Sequence, residues 1–133
     1  MDKPPIIWVV EDDASIQRLV SDALKIHGFD PRVFGSAEKA YEALSTQPTP
    51  TLMILDILLP GISGIDFIRM VKQHKTWGKI PIVVVSVLSR EEGVKDGVAD
   101  QTTFWINKPF DAGNLIQTIQ NVLMSVGQGG KSD

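Results

Sequence analysis

Four short apolar runs, none of which alternates with polar residues, restrict the folds open to this 133-residue chain most strongly. The runs are residues 6–10, 52–55, 82–85 and 104–106, and they are rich in β-branched and aromatic side chains. Uninterrupted runs of this kind are typical of parallel strands that are buried on both faces of a sheet. A weaker fifth run, residues 32–34, is predicted as an edge strand.

Apolar residues at helical spacing lie between these runs and after the last one. The predicted helix starts are Asp13 or Ser15, Ser36, Ser63 or Gly64, Ser89 and Asp111. The fourth helix, to about Val98, is the weakest because Gly93 and Gly97 lower its helix propensity. The fifth helix is expected to end near Met124. A strand followed by a helix about five times predicts a doubly wound α/β fold with right-handed crossovers and helices on both sheet faces.

Length and composition favour one domain, over residues 1–126, followed by a flexible tail or linker at 127–133. The net charge of −3 gives no electrostatic attraction to nucleic acid or to an anionic membrane, so neither is expected as a partner. The chain has no cysteine, which excludes disulfides, thiolate metal sites and cysteine nucleophiles and fits a cytoplasmic location. No apolar run approaches the ~20 residues of a membrane span.

Polar residues follow the apolar runs where the predicted strands end. They are Glu11, Asp12 and Asp13 after the first run, Asp56 after the second, Ser86 after the third and Asn107 and Lys108 after the last. Taken singly, each is more often a helix cap or a solvated side chain. Parallel strands bring their carboxyl ends to one edge of the sheet, however, and like charges gathered there need a cation. Oxygen ligands without His or Cys suit Mg²⁺ rather than zinc.

Four segments, in this order and spacing, resemble the motifs of the response-regulator receiver domain over about residues 6–125. They are Val-Val-Glu-Asp-Asp at 9–13, Leu-Asp-Ile-Leu-Leu-Pro-Gly at 55–61, Val-Ser at 85–86 and Lys-Pro-Phe at 108–110. The resemblance implies a five-stranded parallel sheet, doubly wound as (βα)5, with the flavodoxin-like strand order 2-1-3-4-5. It also implies a phosphoacceptor module of a two-component phosphorelay.

Carried over by position, the resemblance makes Asp56 the phosphoacceptor and Lys108 the lysine that pairs with it and then with a phosphoryl oxygen. Ser86 becomes the switch hydroxyl, and Trp105 takes the place of the switch aromatic. The bond between Lys108 and Pro109 is expected to be cis.

The metal ligands that the resemblance implies for Mg²⁺ are Glu11, Asp12, Asp56 and the backbone carbonyl of Leu58. Asp13 is interpreted as a helix cap rather than a ligand.

The implied partners are a histidine kinase or histidine phosphotransfer protein as donor, and a downstream protein. The downstream protein is expected on the face formed by the fourth helix, the last strand and the last helix. Such a module is not a turnover enzyme, since it catalyses only its own phosphotransfer and dephosphorylation. Whether it is a stand-alone receiver or a receiver cut from a longer chain stays open.

Two other functions fit the sequence less well. A pseudo-receiver, acting as a constitutive interaction module, would have lost Asp56 or Lys108, and both are present. A flavodoxin-like FMN carrier needs a Ser/Thr/Gly-rich phosphate loop after the first strand, where the acids at 11–13 would repel a phosphate.

The sequence departs from the family pattern near the acceptor. Val87 stands where Ala or Gly is usual, and Leu58 and Leu88 occupy the positions that flank the route of the hydrolytic water. Because neither leucine can hold that water, a long-lived phospho-form is expected. Residues 98–103 also differ from the usual approach to the last strand.

Overall fold

The computed structural model of the chain describes residues 3–95 and 104–131, and these form one parallel sheet with helices on both faces. The strands are β1 (Ile6–Val10), β2 (Asp30–Phe34), β3 (Leu52–Leu55), β4 (Ile82–Ser86) and β5 (Phe104–Asn107). Their order is β2-β1-β3-β4-β5, with every neighbouring pair parallel, so the predicted order and the predicted edge strand are confirmed.

Five helices alternate with the strands, as predicted. They are α1 (Ala14–Ile26), α2 (Ala37–Leu44), α3 (Gly64–Lys72), α4 (Arg90–Lys95) and α5 (Ala112–Lys131), with a short 3₁₀ helix at Trp77–Lys79 between α3 and β4. The expected continuation of α4 to Val98, and the divergent stretch 98–103, lie outside the described residues. Among the residues that are described, no helix has both the length and the apolar character that crossing a membrane requires.

The central strands β1, β3 and β4 are buried on both faces, which explains why they read as unbroken apolar runs. The run at 104–106 was also predicted as a strand buried on both faces, but it forms the edge strand β5, where Phe104 is 50 % exposed. Along β1, Ile7 and Val9 pack into one cluster with α1 and α5, whereas Trp8 and Val10 pack into a second cluster with α2 and α3. All four side chains are at most 1 % exposed. Because alternate residues of a strand point to opposite faces, a strand between two helical layers must be apolar at every position.

Polar side chains start the helices at the positions predicted. Asp13, Ser36 and Ser63 each cap a helix by accepting hydrogen bonds from backbone N–H groups of its first turn. Asp111 precedes α5 and accepts from the N–H of Gly113 at 2.9 Å. These caps satisfy donors that the helices cannot pair internally, and they fix where each helix leaves the sheet edge.

The end of the last helix was predicted wrongly. α5 continues to Lys131, so it passes Met124 and includes residues 127–131, which the sequence had indicated as part of a flexible tail. Gly127, Gly129 and Gly130 each cost about 1 kcal/mol against Ala in a helix. They do not end it, because the segment has no proline to remove a backbone donor. The domain boundary at residue 126 stays a prediction.

Candidate functional site

Backbone hydrogen bonds place three of the predicted site residues on one edge of the sheet. Each bond extends the pairing of neighbouring strands at their carboxyl ends: from Glu11 N to Phe34 O at 3.0 Å, from Asp56 N to Val10 O at 3.1 Å and from Lys108 N to Ser86 O at 2.9 Å. The polar residues that end the apolar runs therefore meet, as the sequence predicts for parallel strands.

An ammonium group shared by two carboxylates forms the centre of this edge. Lys108 Nζ lies 2.8 Å from Glu11 Oε1 and 2.8 Å from Asp56 Oδ2. Glu11 is 4 % and Asp56 6 % exposed, so both acids have lost most of their water. Buried charges persist only when paired, and one cation here serves two anions. The bond between Lys108 and Pro109 is cis, as expected.

Burial and the shared ammonium act on these groups in opposite directions. Burial, followed by the nearby charge of Asp56, raises the pKa of Glu11 despite the opposing bonds from Lys108 and from the N–H of Asp13. For Lys108, burial lowers the pKa, but the hydrogen bonds and charges of Asp56 and Glu11 together outweigh burial and raise it. The lysine is therefore firmly cationic, whereas burial works against the charged form of Glu11.

The acids also form a group that fits a divalent cation. One carboxylate oxygen each from Glu11, Asp12 and Asp56 lies within 4.8 Å of the others, and Asp12 is exposed. The donors are all hard oxygens, with three carboxylates against one ammonium. This donor set and its excess negative charge fit Mg²⁺. Asp13 lies outside this group, and its Oδ1 instead caps α1.

The loop after β3 orients the carboxylate of Asp56, and the start of α3 packs closely against the same strand end. Asp56 Oδ1 accepts from the N–H of Leu58 at 3.0 Å, so the loop after β3 turns back onto the side chain. At the start of α3, a Cβ on Gly64 would lie 2.5 Å from both Asp56 O and Ile57 Cα. Only glycine lets the helix approach the strand end this closely.

The two predicted switch residues, Ser86 and Trp105, are joined through Leu88. Ser86 is fully buried, and its Oγ accepts from Leu88 N at 3.2 Å. The carbonyl of Leu88 accepts from Trp105 Nε1 and from Asn107 Nδ2, both at 2.8 Å. The two bonds use the peptide groups on either side of the Leu88 Cα, so a movement of Ser86 would reach Trp105 through the backbone of Leu88. No role for Asn107 was predicted, because its partner is a backbone carbonyl 19 residues away.

The residues that depart from the family pattern differ in exposure. Leu58 is 51 % and Val87 62 % exposed, whereas Leu88 is half-buried against the α2 and α3 side of the core. Of the two leucines expected to exclude the hydrolytic water, Leu88 is the one anchored by packing.

Comparison with known proteins identifies the group to which this fold and this edge belong. Residues 7–120 match the family described as the response regulator receiver domain. The chain is 34 % identical over 120 residues to the phosphate regulon transcriptional regulatory protein PhoB of Escherichia coli, covering 90 % of this chain and 52 % of that protein. It thus spans about half the length of the curated relatives it matches.

Solved structures agree with the sequence match. A sensor protein from Polaromonas is 30 % identical with a TM-score of 0.82, over 91 % of this chain and 97 % of that one. A response regulator receiver protein from Pseudomonas putida is 28 % identical with a TM-score of 0.81, over 91 % and 99 %. The chain belongs to the response-regulator receiver family, whose members are phosphotransfer modules of two-component systems.

Proposed function

We propose that the protein accepts a phosphoryl group on Asp56 and signals through Ser86 and Trp105. The observation that carries the proposal is the single ammonium of Lys108 at 2.8 Å from both Glu11 and Asp56. Carboxylates that form aspartyl-phosphates are a recognised type of nucleophile. A buried carboxylate beside a cation and a backbone donor suits that role.

In the transfer step, a carboxylate oxygen of Asp56 forms the new bond to phosphorus while the bond from phosphorus to the donor breaks. The leaving group departs with that electron pair. The N–H of Leu58 orients the carboxylate, and Lys108 can turn from it to an oxygen of the incoming group. A Mg²⁺ ion held by Glu11, Asp12, Asp56 and the Leu58 carbonyl would neutralise charge on the transferred group.

The phosphoryl group brings up to about two negative charges and new acceptor oxygens to the edge of the sheet. The Ser86 hydroxyl, which now accepts from Leu88, can donate to one of them. Its movement would free the backbone of Leu88 and so weaken the bond from Trp105 Nε1 to the Leu88 carbonyl. The outcome is a shift between two states of the β5 surface rather than a new fold.

The partners follow from this function. The donor would be a histidine kinase or a histidine phosphotransfer protein, and the receiving protein would dock on the face formed by α4, β5 and α5. A cytoplasmic location belongs to the same proposal.

Intact-protein mass spectrometry tests the proposal. Acetyl phosphate with Mg²⁺ should add one phosphoryl group to the wild-type chain, and EDTA or Asp56→Asn should prevent the addition. Asp12→Ala should weaken Mg²⁺ binding, and so raise the Mg²⁺ concentration that phosphorylation needs, more than Asp13→Ala, because only Asp12 belongs to the metal-ligating group. A wild-type chain that gains no mass would leave a constitutive interaction module as the function.

A further inference from the structure

The loop that carries Leu58 away from Asp56 is tied at its far end to another helix. Glu38, in the first turn of α2, accepts a hydrogen bond on Oε2 from the N–H of Ile62 at 3.0 Å. The two residues are 24 positions apart in the chain. This carboxylate therefore links α2 to the loop between β3 and α3, outside the acidic cluster.

The shape of the loop is also fitted to this carboxylate. Gly61, next to Ile62, has a φ of +75°, which favours glycine, and a Cβ placed on it would collide with Glu38 Oε2. The glycine thus serves both the turn and the close approach of the side chain. The N–H of Ile62, and then the N–H of Glu38 itself, lower the pKa of this carboxyl, as hydrogen bonds to the charged form do.

Little free chain separates this contact from the acceptor. Leu58 N donates to Asp56 Oδ1, and both Leu59 N and Gly64 N donate to Ile57 O, at 3.1 and 2.9 Å. With both ends of the loop fixed, the tie at Ile62 restricts the few residues that remain. Leu58 is among the residues so restricted, and its carbonyl is the backbone ligand proposed above for Mg²⁺.

We propose that Glu38 is a positioning residue for phosphorylation: by holding Ile62, it fixes the loop that presents Leu58 to the metal site. The inference rests on the proposed function, since it concerns how well the acidic cluster binds Mg²⁺. Preorganised ligands bind better because less conformational freedom is lost on binding.

Variants of Glu38 distinguish the effect of its side-chain length from the effect of its charge. Glu38→Gln keeps an oxygen at the same reach but removes the charge. Glu38→Asp keeps the charge but is shorter by one carbon–carbon bond, about 1.5 Å, which takes the carboxylate out of hydrogen-bonding range of Ile62. Glu38→Ala removes both. Glu42→Ala is the matched control, because it removes the same charge one turn further along the same helix.

Calorimetric titration of the full chain with Mg²⁺ is the first measurement. Loss of one hydrogen bond to the loop should weaken binding by roughly three- to tenfold in the Asp and Ala variants. Glu38→Gln and Glu42→Ala should stay within about twofold of the wild type. In phosphorylation by acetyl phosphate, the Mg²⁺ concentration for half-maximal rate should rise by the same factor, while the rate at saturating Mg²⁺ is kept.

Three results would overturn the inference. If Glu38→Ala binds Mg²⁺ as well as Glu42→Ala does, the tie does not position the site. If Glu38→Gln weakens Mg²⁺ binding as much as Glu38→Ala does, the charge of Glu38 rather than its hydrogen bond to Ile62 is responsible for the effect. If the wild type binds no Mg²⁺ and gains no phosphoryl group, the proposed function fails and the inference with it.

Glu38→Asp keeps the test decisive if Glu38→Ala folds poorly, and Gly61→Ala tests the same contact from the side of the loop. In the wild-type background this change meets both the strain at positive φ and the collision with Glu38, whereas in Glu38→Ala the collision is absent. The effect of Gly61→Ala on Mg²⁺ affinity should therefore be at least threefold smaller, roughly, in the double variant. Equal effects in both backgrounds would contradict the proposed tie.

Discussion

Two partly buried lysines of this protein have opposite surroundings. Lys72, at the end of α3, donates to the backbone carbonyls of Gly78 and Ile80 at 3.1 and 2.9 Å. Lys108 donates to the carboxylates of Glu11 and Asp56, each at 2.8 Å. Burial lowers the pKa of Lys72, whereas for Lys108 the two carboxylates outweigh burial and raise it.

The difference separates a structural lysine from one suited to chemistry. The partners of Lys72 are neutral and belong to the turn that leads into β4, so the contact closes that turn and has no reason to change. The partners of Lys108 are anions: both belong to the group that fits a divalent cation, and Asp56 is the proposed phosphoacceptor. An ammonium that can exchange one anionic oxygen for another is what phosphotransfer needs.

The largest expected effect contrasts Lys108→Met with Lys72→Met. Lys108→Met should slow phosphorylation by acetyl phosphate by about 100-fold, the usual cost of one preorganised charge-stabilising donor. Lys72→Met should leave the rate within about twofold but lower the free energy of unfolding by about 2 kcal/mol, because two carbonyls lose their partner. The rate of mass gain and urea unfolding measure the two effects. Equal phosphorylation rates in Lys108→Met and Lys72→Met would contradict the proposed difference between the two lysines.

The next effect concerns the lifetime of the phosphoryl group on Asp56, which Lys108 is proposed to bind. Leu88→Glu and Leu58→Asn each offer a hydrogen bond to a hydrolytic water and should shorten the life of the phospho-form by about tenfold. Leu88→Glu should have the larger effect, since Leu88 is held by packing and Leu58 is exposed. Decay of the added mass after removal of the donor gives the rates. Unchanged decay in both variants would remove the leucines from the account.

Tryptophan fluorescence distinguishes the two lysine regions. Trp77 stacks on His74 beside the turn that Lys72 closes, whereas Trp105 lies on β5, the strand that leads into Lys108, and donates to the Leu88 carbonyl. Beryllofluoride with Mg²⁺ should change the emission of the wild type and of Trp77→Phe. Trp105→Phe should lose more than about half of that change, since an indole reports on the surroundings of its own ring. A full response in Trp105→Phe would place the switch elsewhere.

The smallest effect is a pH dependence of opposite sign for the two lysines. The raised pKa of Lys108 means that its stabilisation is complete below pH 10.5 and is lost as pH rises through the folded-state value. The lowered pKa of Lys72 means that the folded state loses this proton first, so stability rises with pH just below 10.5. As pH rises in the alkaline range, urea unfolding should show the free energy of unfolding of the wild type falling relative to Lys108→Met. Relative to Lys72→Met it should rise. Slopes of the same sign would contradict the two environments.

The sequence predicted those parts of the molecule that depend on local pattern. Apolar runs located the strands, and the polar residue after each run located the edge where Glu11, Asp56 and Lys108 meet. Caps such as Asp13 and Ser63 were recognisable because a short polar side chain precedes a helical pattern.

The parts that were missed depend on contacts between elements that only the fold brings together. The N–H of Ile62 donates to the side chain of Glu38, 24 positions away in the chain. Trp105 and Asn107 both donate to the distant backbone carbonyl of Leu88. A backbone acceptor leaves no signature in a sequence. The end of α5 was missed because glycines weaken a helix without fixing where it stops.

The proposed function requires that Asp56, and no other carboxylate, takes the phosphoryl group. Treatment with acetyl phosphate and Mg²⁺, reduction with borohydride, digestion and peptide sequencing by mass spectrometry locate it, since reduction converts an aspartyl-phosphate into homoserine. The account predicts homoserine at position 56 and unmodified acids at 11, 12 and 13. Conversion at any other position, or none in a protein that has gained the phosphoryl mass, would contradict it.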